Sequence, residues 1–186
     1  MRAAQLKEDL AALAALGHVE ASRVLAEVEP ATLRLIERAS RVDWLPIEVD
    51  LELVHAIYGV AGEEGLRAWG REAVLRSIET SIFKPLVDAV VRVFGLSPGP
   101  LLRAAPQAWK TTFRGCGEMS VTVAPEGGAR IVLSNLPQVL VERPFLLSIS
   151  GSLEAALVVA RTEGTVRLVA TVGTNGAEYE ATWPSR

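Results

Sequence analysis

The sequence contains few of the residues from which catalytic and metal sites are usually built. Its 186 residues include one cysteine, Cys116, and two histidines, His18 and His55. A single cysteine excludes an internal disulfide, and so few soft ligands leave no zinc motif. The spaced glycines at 95–99 and 127–128 lack the Lys-Ser/Thr pair of a phosphate-binding loop. We therefore predict no catalytic residue, no metal site and no cofactor.

Long apolar runs are also missing, although 49% of the residues are hydrophobic. Every apolar stretch is far shorter than the roughly 20 residues that cross a membrane. Residues 1–10 carry several charges and lack the apolar centre of a signal peptide. The net charge of −3 disfavours a general nucleic-acid binder. We expect a cytoplasmic protein that binds neither membranes nor nucleic acids.

Two residues have a chemical alternative that the pattern leaves open. His55 stands alone on an amphipathic helix, which fits a haem ligand but fits a hydrogen-bonded structural histidine equally well. Cys116 is flanked by glycines, and nearby Arg114 could lower the pKa of its thiol. A nucleophilic thiol also needs a base, and no histidine is close in the sequence. We predict a structural Cys116 and keep a thiol enzyme as an alternative.

Helical periodicity extends through the first three fifths of the chain. Leu6, Leu10 and Leu13 are spaced like one face of a helix that stops at Gly17. Further helices are predicted over 20–28, from Pro30, from residue 50, over 63–78, over 85–94 and after Ser97. In this interpretation Asp50 caps a helix, and Pro106 restarts the chain. The glycine-rich residues 59–65, with Gly62 in the middle, are either a helix break or a weak helix start.

The period changes after Gly115. Residues 119–124 alternate between apolar and polar, a turn follows at 126–128, and a second strand covers 129–133. A helix over 146–161 contains Gly151, which costs about 1 kcal/mol relative to Ala and so predicts a close backbone contact. Strands over 166–171 and 177–183 flank Asn175-Gly176, a strong hairpin signal. Alternation in the last strand predicts that Trp183 anchors the core.

The sequence therefore predicts a single α+β domain over 1–186. Residues 1–114 are mainly helical and pack on a small antiparallel sheet of β-β-α-β-β order, formed by residues 115–186.

Two groups of residues are candidates for binding. Aromatic residues are few, so Tyr58, Trp69 and Trp109 are either core anchors or the lining of a pocket for a small apolar ligand. Residues 81–118 carry more bases than acids, unlike the acidic helices before them. Arg103, Lys110 and Arg114 supply most of that excess and are either a solvated face or a docking surface for an acidic partner.

A set of landmarks over residues 44–184 also suggests a relationship. They are Tyr58, Gly62-Glu63-Glu64, Gly70-Arg71, Phe94-Gly-Leu-Ser-Pro98, Leu101-Leu-Arg103, Pro106, Trp109, Gly117-Glu118, Leu136-Pro137, Gly151-Ser-Leu-Glu-Ala-Ala-Leu157 and Trp183. In these the chain resembles a myxobacterial paralogue family of unknown function. The layout of that family is similar to the haem-nitric-oxide-binding and vinyl-4-reductase-like domains.

The resemblance implies a helical cap over an antiparallel sheet, with a ligand cavity between them. It also implies an axial histidine on a helix shortly before the sheet in the haem branch. No histidine occurs in residues 56–186 here, so haem binding is not expected. The cysteine cluster of some vinyl-reductase-like domains is absent too.

These observations favour a non-enzymatic regulatory or protein-interaction domain of a sensory or signalling type, with a protein partner or a second copy of the chain. The alternative from the same resemblance is a small-molecule sensor whose apolar ligand lies between helices and sheet, beneath Trp69 and Trp109.

Overall fold

The computed structural model describes residues 1–80 and 83–184. Within them the chain forms seven α-helices and four β-strands. The helices are α1 (Ala3–Ala12), α2 (His18–Glu27), α3 (Pro30–Arg38), α4 (Glu48–Glu79), α5 (Lys84–Phe94), α6 (Pro98–Thr112) and α7 (Arg143–Val159). The strands are β1 (Glu118–Ala124), β2 (Gly128–Ser134), β3 (Thr165–Val172) and β4 (Gly176–Thr182). The predicted α+β class and β-β-α-β-β order are confirmed. None of these helices is long and apolar enough to cross a membrane.

The strands form one antiparallel sheet in the order β1-β2-β4-β3. Ile131 and Tyr179 are opposite each other on the inner face, and both are fully buried. On the outer face, ion pairs join Arg130 to Glu178 across β2 and β4, and Arg167 to Glu180 across β3 and β4. Alternation in β4 therefore buries one face, as predicted. Trp183 lies just beyond the end of β4 and packs against the core beneath the sheet, as predicted, although it is only half-buried.

Helices α4 and α7 cross at two glycines. A Cβ at Gly151 would lie 2.1 Å from the carbonyl oxygen of Arg67, and one at Gly70 would lie 2.5 Å from that of Ser148. Neither separation is possible for a real side chain, so the two helix backbones touch because both positions are glycine. The close contact that Gly151 predicted is confirmed.

Two predicted helix boundaries are wrong. Helix α4 begins at Glu48, so Asp50 lies inside its first turn with a buried side chain instead of capping it. Pro106 lies inside α6, which is continuous across it. Burial of Leu102 and Trp109 on either side stabilises α6 enough to outweigh the lost hydrogen bond. Of the two alternatives at Gly62, the break is confirmed as a kink inside α4, with φ of 65°.

Helix α5 packs more loosely than the sequence predicts. Its periodicity indicated a buried face, yet Leu86, Val87, Val90 and Val91 are only half-buried. The side chain of Phe94, predicted on the same face, lies outside the described part. Leu86 and Val87 face a cavity, which explains their incomplete burial.

Candidate functional site

A cavity of about 150 Å³ lies between α1, α4, α5, α6 and α7. Its wall is mostly apolar and includes Trp69 from α4, Ile149 from α7, and Leu101 and Trp109 from α6. The sheet contributes only Met119 to the described lining. The cavity therefore lies within the helical part, whereas the sequence predicted one between helices and sheet.

The two tryptophans predicted to contact a ligand both line this cavity. The Trp69 indole Nε1 donates a hydrogen bond to the Asp9 carbonyl oxygen (2.8 Å), and Trp109 Nε1 donates to the Gly117 carbonyl oxygen (3.3 Å). Their polar atoms are thus satisfied within the protein, and the rings offer apolar surface. Tyr58 is not among the lining residues; it is half-buried against a helical cluster that also contains Val54 and Trp69. Its predicted contact with a ligand stays a prediction.

Two buried carboxyl groups stand at one end of the cavity. Asp9 of α1 is 3% exposed, Asp50 of α4 is 4% exposed, and both line the cavity. We call these two residues the acid pair. Gln5 Nε2 donates to Asp9 Oδ1 (2.9 Å), and Ser77 Oγ donates to Gln5 Oε1 (2.8 Å). Asp9 Oδ2 is buried without a hydrogen-bond partner among the described residues.

Burial controls the ionisation of the acid pair. It raises the pKa of Asp50 to about 7. Burial, and next the neighbouring Asp50, also raise the pKa of Asp9 well above its ordinary value. The Asp50 carboxyl group therefore accepts and releases its proton near neutral pH. The acid pair as a whole binds a cation more readily than an anion.

A third polar group faces the cavity from α6. The backbone oxygen of Thr112 accepts a hydrogen bond from the Arg2 amide (2.8 Å), whereas its side-chain Oγ1 is buried and has no partner in the described structure. The sequence did not predict that Asp9, Asp50 and Thr112 line a cavity. The only available signal was the spacing of Gln5 and Asp9, which places an amide one helical turn from a carboxylate.

The thiol alternative finds no support at Cys116. This residue is 3% exposed, and its Sγ lies 3.4 Å from the carbonyl oxygen of Arg114. Burial raises the pKa of the thiol, opposite to the lowering that nearby Arg114 suggested. The thiol therefore stays protonated and weakly nucleophilic at neutral pH.

The two histidines lie far from the cavity wall. His18 is exposed, and His55 Nε2 lies 2.7 Å from Glu142 Oε1 on the surface. Across residues 1–80 and 83–184, no group of three or more His, Cys, Asp or Glu side chains is arranged to hold a metal ion.

The three predicted partner-binding residues divide into two kinds. Arg103 and Lys110 are exposed, two turns apart on α6, and no ion pair of either is found in the described structure. Arg114 is exposed as well, but its guanidinium lies 4.3 Å from the ring centroid of Trp44, which Arg2 also covers. A cation engaged with an aromatic ring is less available to a partner.

A helical part that contains a cavity packs on one face of an antiparallel sheet. No family model and no curated protein matches the chain. Solved structures of H-NOX domains do match it, at low identity and nearly full length, so this chain has the H-NOX fold. The haem-nitric-oxide-binding layout is thereby confirmed, and membership of a myxobacterial family stays a prediction.

Three of these structures represent the set. An oxygen-binding H-NOX domain related to soluble guanylate cyclases, in complex with oxygen, has a TM-score of 0.68 and 11% identity over 100% of this chain and 97% of its own. The Fe(II) unliganded H-NOX protein from K. algicida has a TM-score of 0.68 and 8% identity, over 100% and 98%. A structure from a study of heme distortion in the H-NOX family has a TM-score of 0.66 and 11% identity, over 100% and 95%.

The residues around this cavity do not fit a haem. Haem iron is held by His, Cys or Tyr, or by Met opposite a His, and the described lining has no His, Cys or Tyr. A volume of about 150 Å³ accommodates a molecule of about the size of benzene, whereas a porphyrin is a macrocycle of several such rings. Two buried carboxyl groups also oppose a cofactor that carries its own carboxylates.

Proposed function

We propose that this protein is a non-enzymatic sensory domain that binds a small, largely apolar molecule in its helical cavity. The observation that carries the proposal is the cavity itself, about 150 Å³ with a mostly apolar wall inside the helical part. Protein interiors leave few voids larger than a water molecule, so a space of this size favours a ligand.

The position of the cavity suits a sensor. Helix α6 contributes Leu101 and Trp109 to the wall, while Arg103 and Lys110 on the same helix face solvent. A ligand that fills the cavity therefore contacts an element with an exposed outer surface, through which occupancy can affect a partner. The oxygen complex of one H-NOX domain supports the same use of this fold for a small ligand.

The chemistry of the lining supports a binding role over a catalytic one. No hydrogen bond joins the acid pair to a hydroxyl group of the described lining, and Cys116, the only cysteine, lies outside that lining with a raised thiol pKa. Nucleophilic catalysis requires an activated group in contact with a base, and none is present in the described part of the wall.

The test is a titration with toluene, followed by calorimetry and by the melting temperature. Wild type is expected to bind toluene saturably and to melt at a higher temperature with it. Ala108→Leu places a larger side chain into the wall and should abolish both effects, whereas Ala26→Leu on the exposed surface of α2 should retain them. No saturable binding by the wild type, or equal binding by a folded Ala108→Leu protein, would contradict the proposal.

A second candidate function is partner docking through the exposed side of α6. The supporting observation is that Arg103 and Lys110 present two positive charges on one face, with no ion pair in the described structure. Such a surface speeds association with an acidic partner and makes it sensitive to salt. The partner is either another protein or a second copy of the chain.

Charge reversal at α6 tests this second function. Arg103→Glu with Lys110→Glu should lose partners captured from the native cell extract, with little change in melting temperature. Arg23→Glu with Arg34→Glu makes the same charge change at exposed positions of α2 and α3 and should retain them. If both variants capture the same partners equally well, and salt has no effect, Arg103 and Lys110 are ordinary solvated residues and not a docking surface.

A further inference from the structure

Two polar atoms of the cavity wall that can accept hydrogen bonds lack a partner in the described structure. Asp9 Oδ2 and Thr112 Oγ1 are buried without a partner among the described residues, and both residues belong to the cavity wall. The carboxyl group of Asp50 is 4% exposed and faces the same cavity. No Lys or Arg side chain occurs in the described lining. Met1 does line the cavity and its ammonium group acts on Asp50, but that group donates its hydrogen bond to the Leu45 carbonyl oxygen. Asp9 Oδ2 and Thr112 Oγ1 therefore stay without a partner in the described structure.

We infer that the ligand is a small primary amine, bound as its ammonium ion, with Asp9 Oδ2, the Asp50 carboxyl group and Thr112 Oγ1 as acceptors of its N–H groups. This inference rests on the proposed function and names the chemical class of its ligand. An ammonium ion has three donors and no acceptor, which complements a wall that offers acceptors and two acids.

Other ligand classes fit this wall less well. An anion would face two carboxyl groups in a medium of low dielectric constant, where like charges repel strongly. A pure hydrocarbon would leave Asp9 Oδ2 and Thr112 Oγ1 without partners, and a buried polar atom without a partner is costly. An alcohol donates only one hydrogen bond and carries no charge. An ammonium ion forms charge-assisted hydrogen bonds, which are about twice as strong as neutral ones.

The rest of the wall limits the body of the amine. The cavity has about 150 Å³, room for one ring of about the size of benzene. Trp69, Trp109 and Phe113 supply aromatic surface, and alanines at 104, 105 and 108 keep the α6 side shallow. An arylmethylamine or a short branched alkylamine has the required size, with an apolar body and one ammonium group.

The experiment compares three ligands of nearly equal shape: benzylamine, benzyl alcohol and toluene, titrated by calorimetry at pH 8. Wild type should bind benzylamine at least about tenfold more tightly than toluene, with benzyl alcohol between them, as hydrogen bonds to a charged group predict. Asp9→Asn should lower the affinity for benzylamine about tenfold or more and change that for toluene less than about twofold. Glu163→Gln, at an exposed acid, should change neither.

The outcomes separate this inference from the proposed function. If toluene binds saturably and benzylamine binds no more tightly, the amine class is wrong and the apolar site stands. If none of the three ligands binds, both the amine inference and the proposed function are wrong. If circular dichroism shows that Asp9→Asn is unfolded, the inference is tested with Thr112→Val, which preserves the shape of the side chain. This variant should lower the affinity for benzylamine about threefold to tenfold. An unchanged affinity would overturn the inference.

Discussion

Helix α7 separates two buried regions that are equally shielded from solvent and differ in chemistry. On the sheet side, Ile131, Phe145 and Tyr179 have no exposed surface, and the one polar atom among their side chains, Tyr179 Oη, donates to the Leu146 carbonyl oxygen at 3.1 Å. On the cavity side, Asp9 and Thr112 each bury a polar atom that lacks a partner in the described structure. The buried polar side-chain atom of the first region has a hydrogen-bond partner, whereas two such atoms of the second region have none in the described structure.

The difference separates stability from binding. An apolar core whose polar atom is paired lowers the free energy of the folded state without needing any other molecule. Native proteins pair nearly all of their buried polar atoms, so two unpaired atoms on one cavity wall support the proposed ligand site. Mutations on the sheet side should therefore affect folding alone, whereas those on the cavity side should alter ligand binding and can even raise stability.

The largest effect is expected where α4 meets α7. Gly151→Ala forces a methyl group against the Arg67 carbonyl oxygen, so the helices must separate, and we expect a loss of about 3 kcal/mol or more in the free energy of unfolding. Gly59→Ala is the matched control, because no atom lies within 4 Å of its added Cβ. It should gain up to about 1 kcal/mol from helix propensity. Urea denaturation of both variants measures the difference, and two similar midpoints would contradict the close crossing.

The glycine crossing and the sheet were accessible from the sequence for a local reason. Alternation in β4 specifies which residues face inward, and a glycine inside a helical pattern is unfavourable unless another backbone approaches it. Trp69 and Trp109 were identified as possible pocket residues because large aromatic side chains are costly to expose. In each case the chemistry of the residue itself restricts where it can lie.

The acid pair was inaccessible for the opposite reason. Asp50 occurs at the start of an apolar helical pattern, where an aspartate usually caps the helix, and Asp9 resembles a solvated charge next to Glu8. Asp9 is buried because most residues of α1 are covered by other elements, and Asp50 is buried in the first turn of α4, against which α1 packs. The periodicity of a single helix does not predict which distant elements will pack against it. The cavity could not be predicted for the same reason, because helices that are far apart in the sequence form it.

An intermediate effect is expected from the pH dependence of stability. The folded-state pKa of Asp50, about 7, lies above the ordinary value of 3.8, so the folded state binds the proton more tightly than the unfolded state. Stability from this group is therefore greatest near pH 4 and falls as the pH rises to about 7. Asp50→Asn removes this loss and should be more stable than wild type by roughly 1–3 kcal/mol at pH 8, with the advantage shrinking toward pH 4.

Unfolding titrations in urea at several pH values between 4 and 8 measure this slope. The Met1 amino group acts on Asp50, whereas Gln5, Glu8 and Asp50 itself act on Asp9. The first three are unchanged in the variant, so any lost slope comes from Asp50 and from its effect on Asp9. Glu163→Gln, an exposed acid, should keep the slope of wild type. An Asp50→Asn protein with that same slope would place the carboxyl group in water and remove the contrast between the two regions.

The smallest effect tests the contrast with two substitutions that each remove one hydroxyl group and preserve shape. Tyr179→Phe deletes a satisfied donor and should lower the free energy of unfolding by about 1 kcal/mol. Thr112→Val deletes a hydroxyl group without a partner in the described structure, and a buried polar group of that kind costs about 1–3 kcal/mol. Its removal should therefore raise stability by about 1 kcal/mol in ligand-free protein, and saturating benzylamine should reverse the order by favouring wild type. If both variants lose stability equally without ligand, the Thr112 hydroxyl group already has a partner, and the two regions do not differ in this respect.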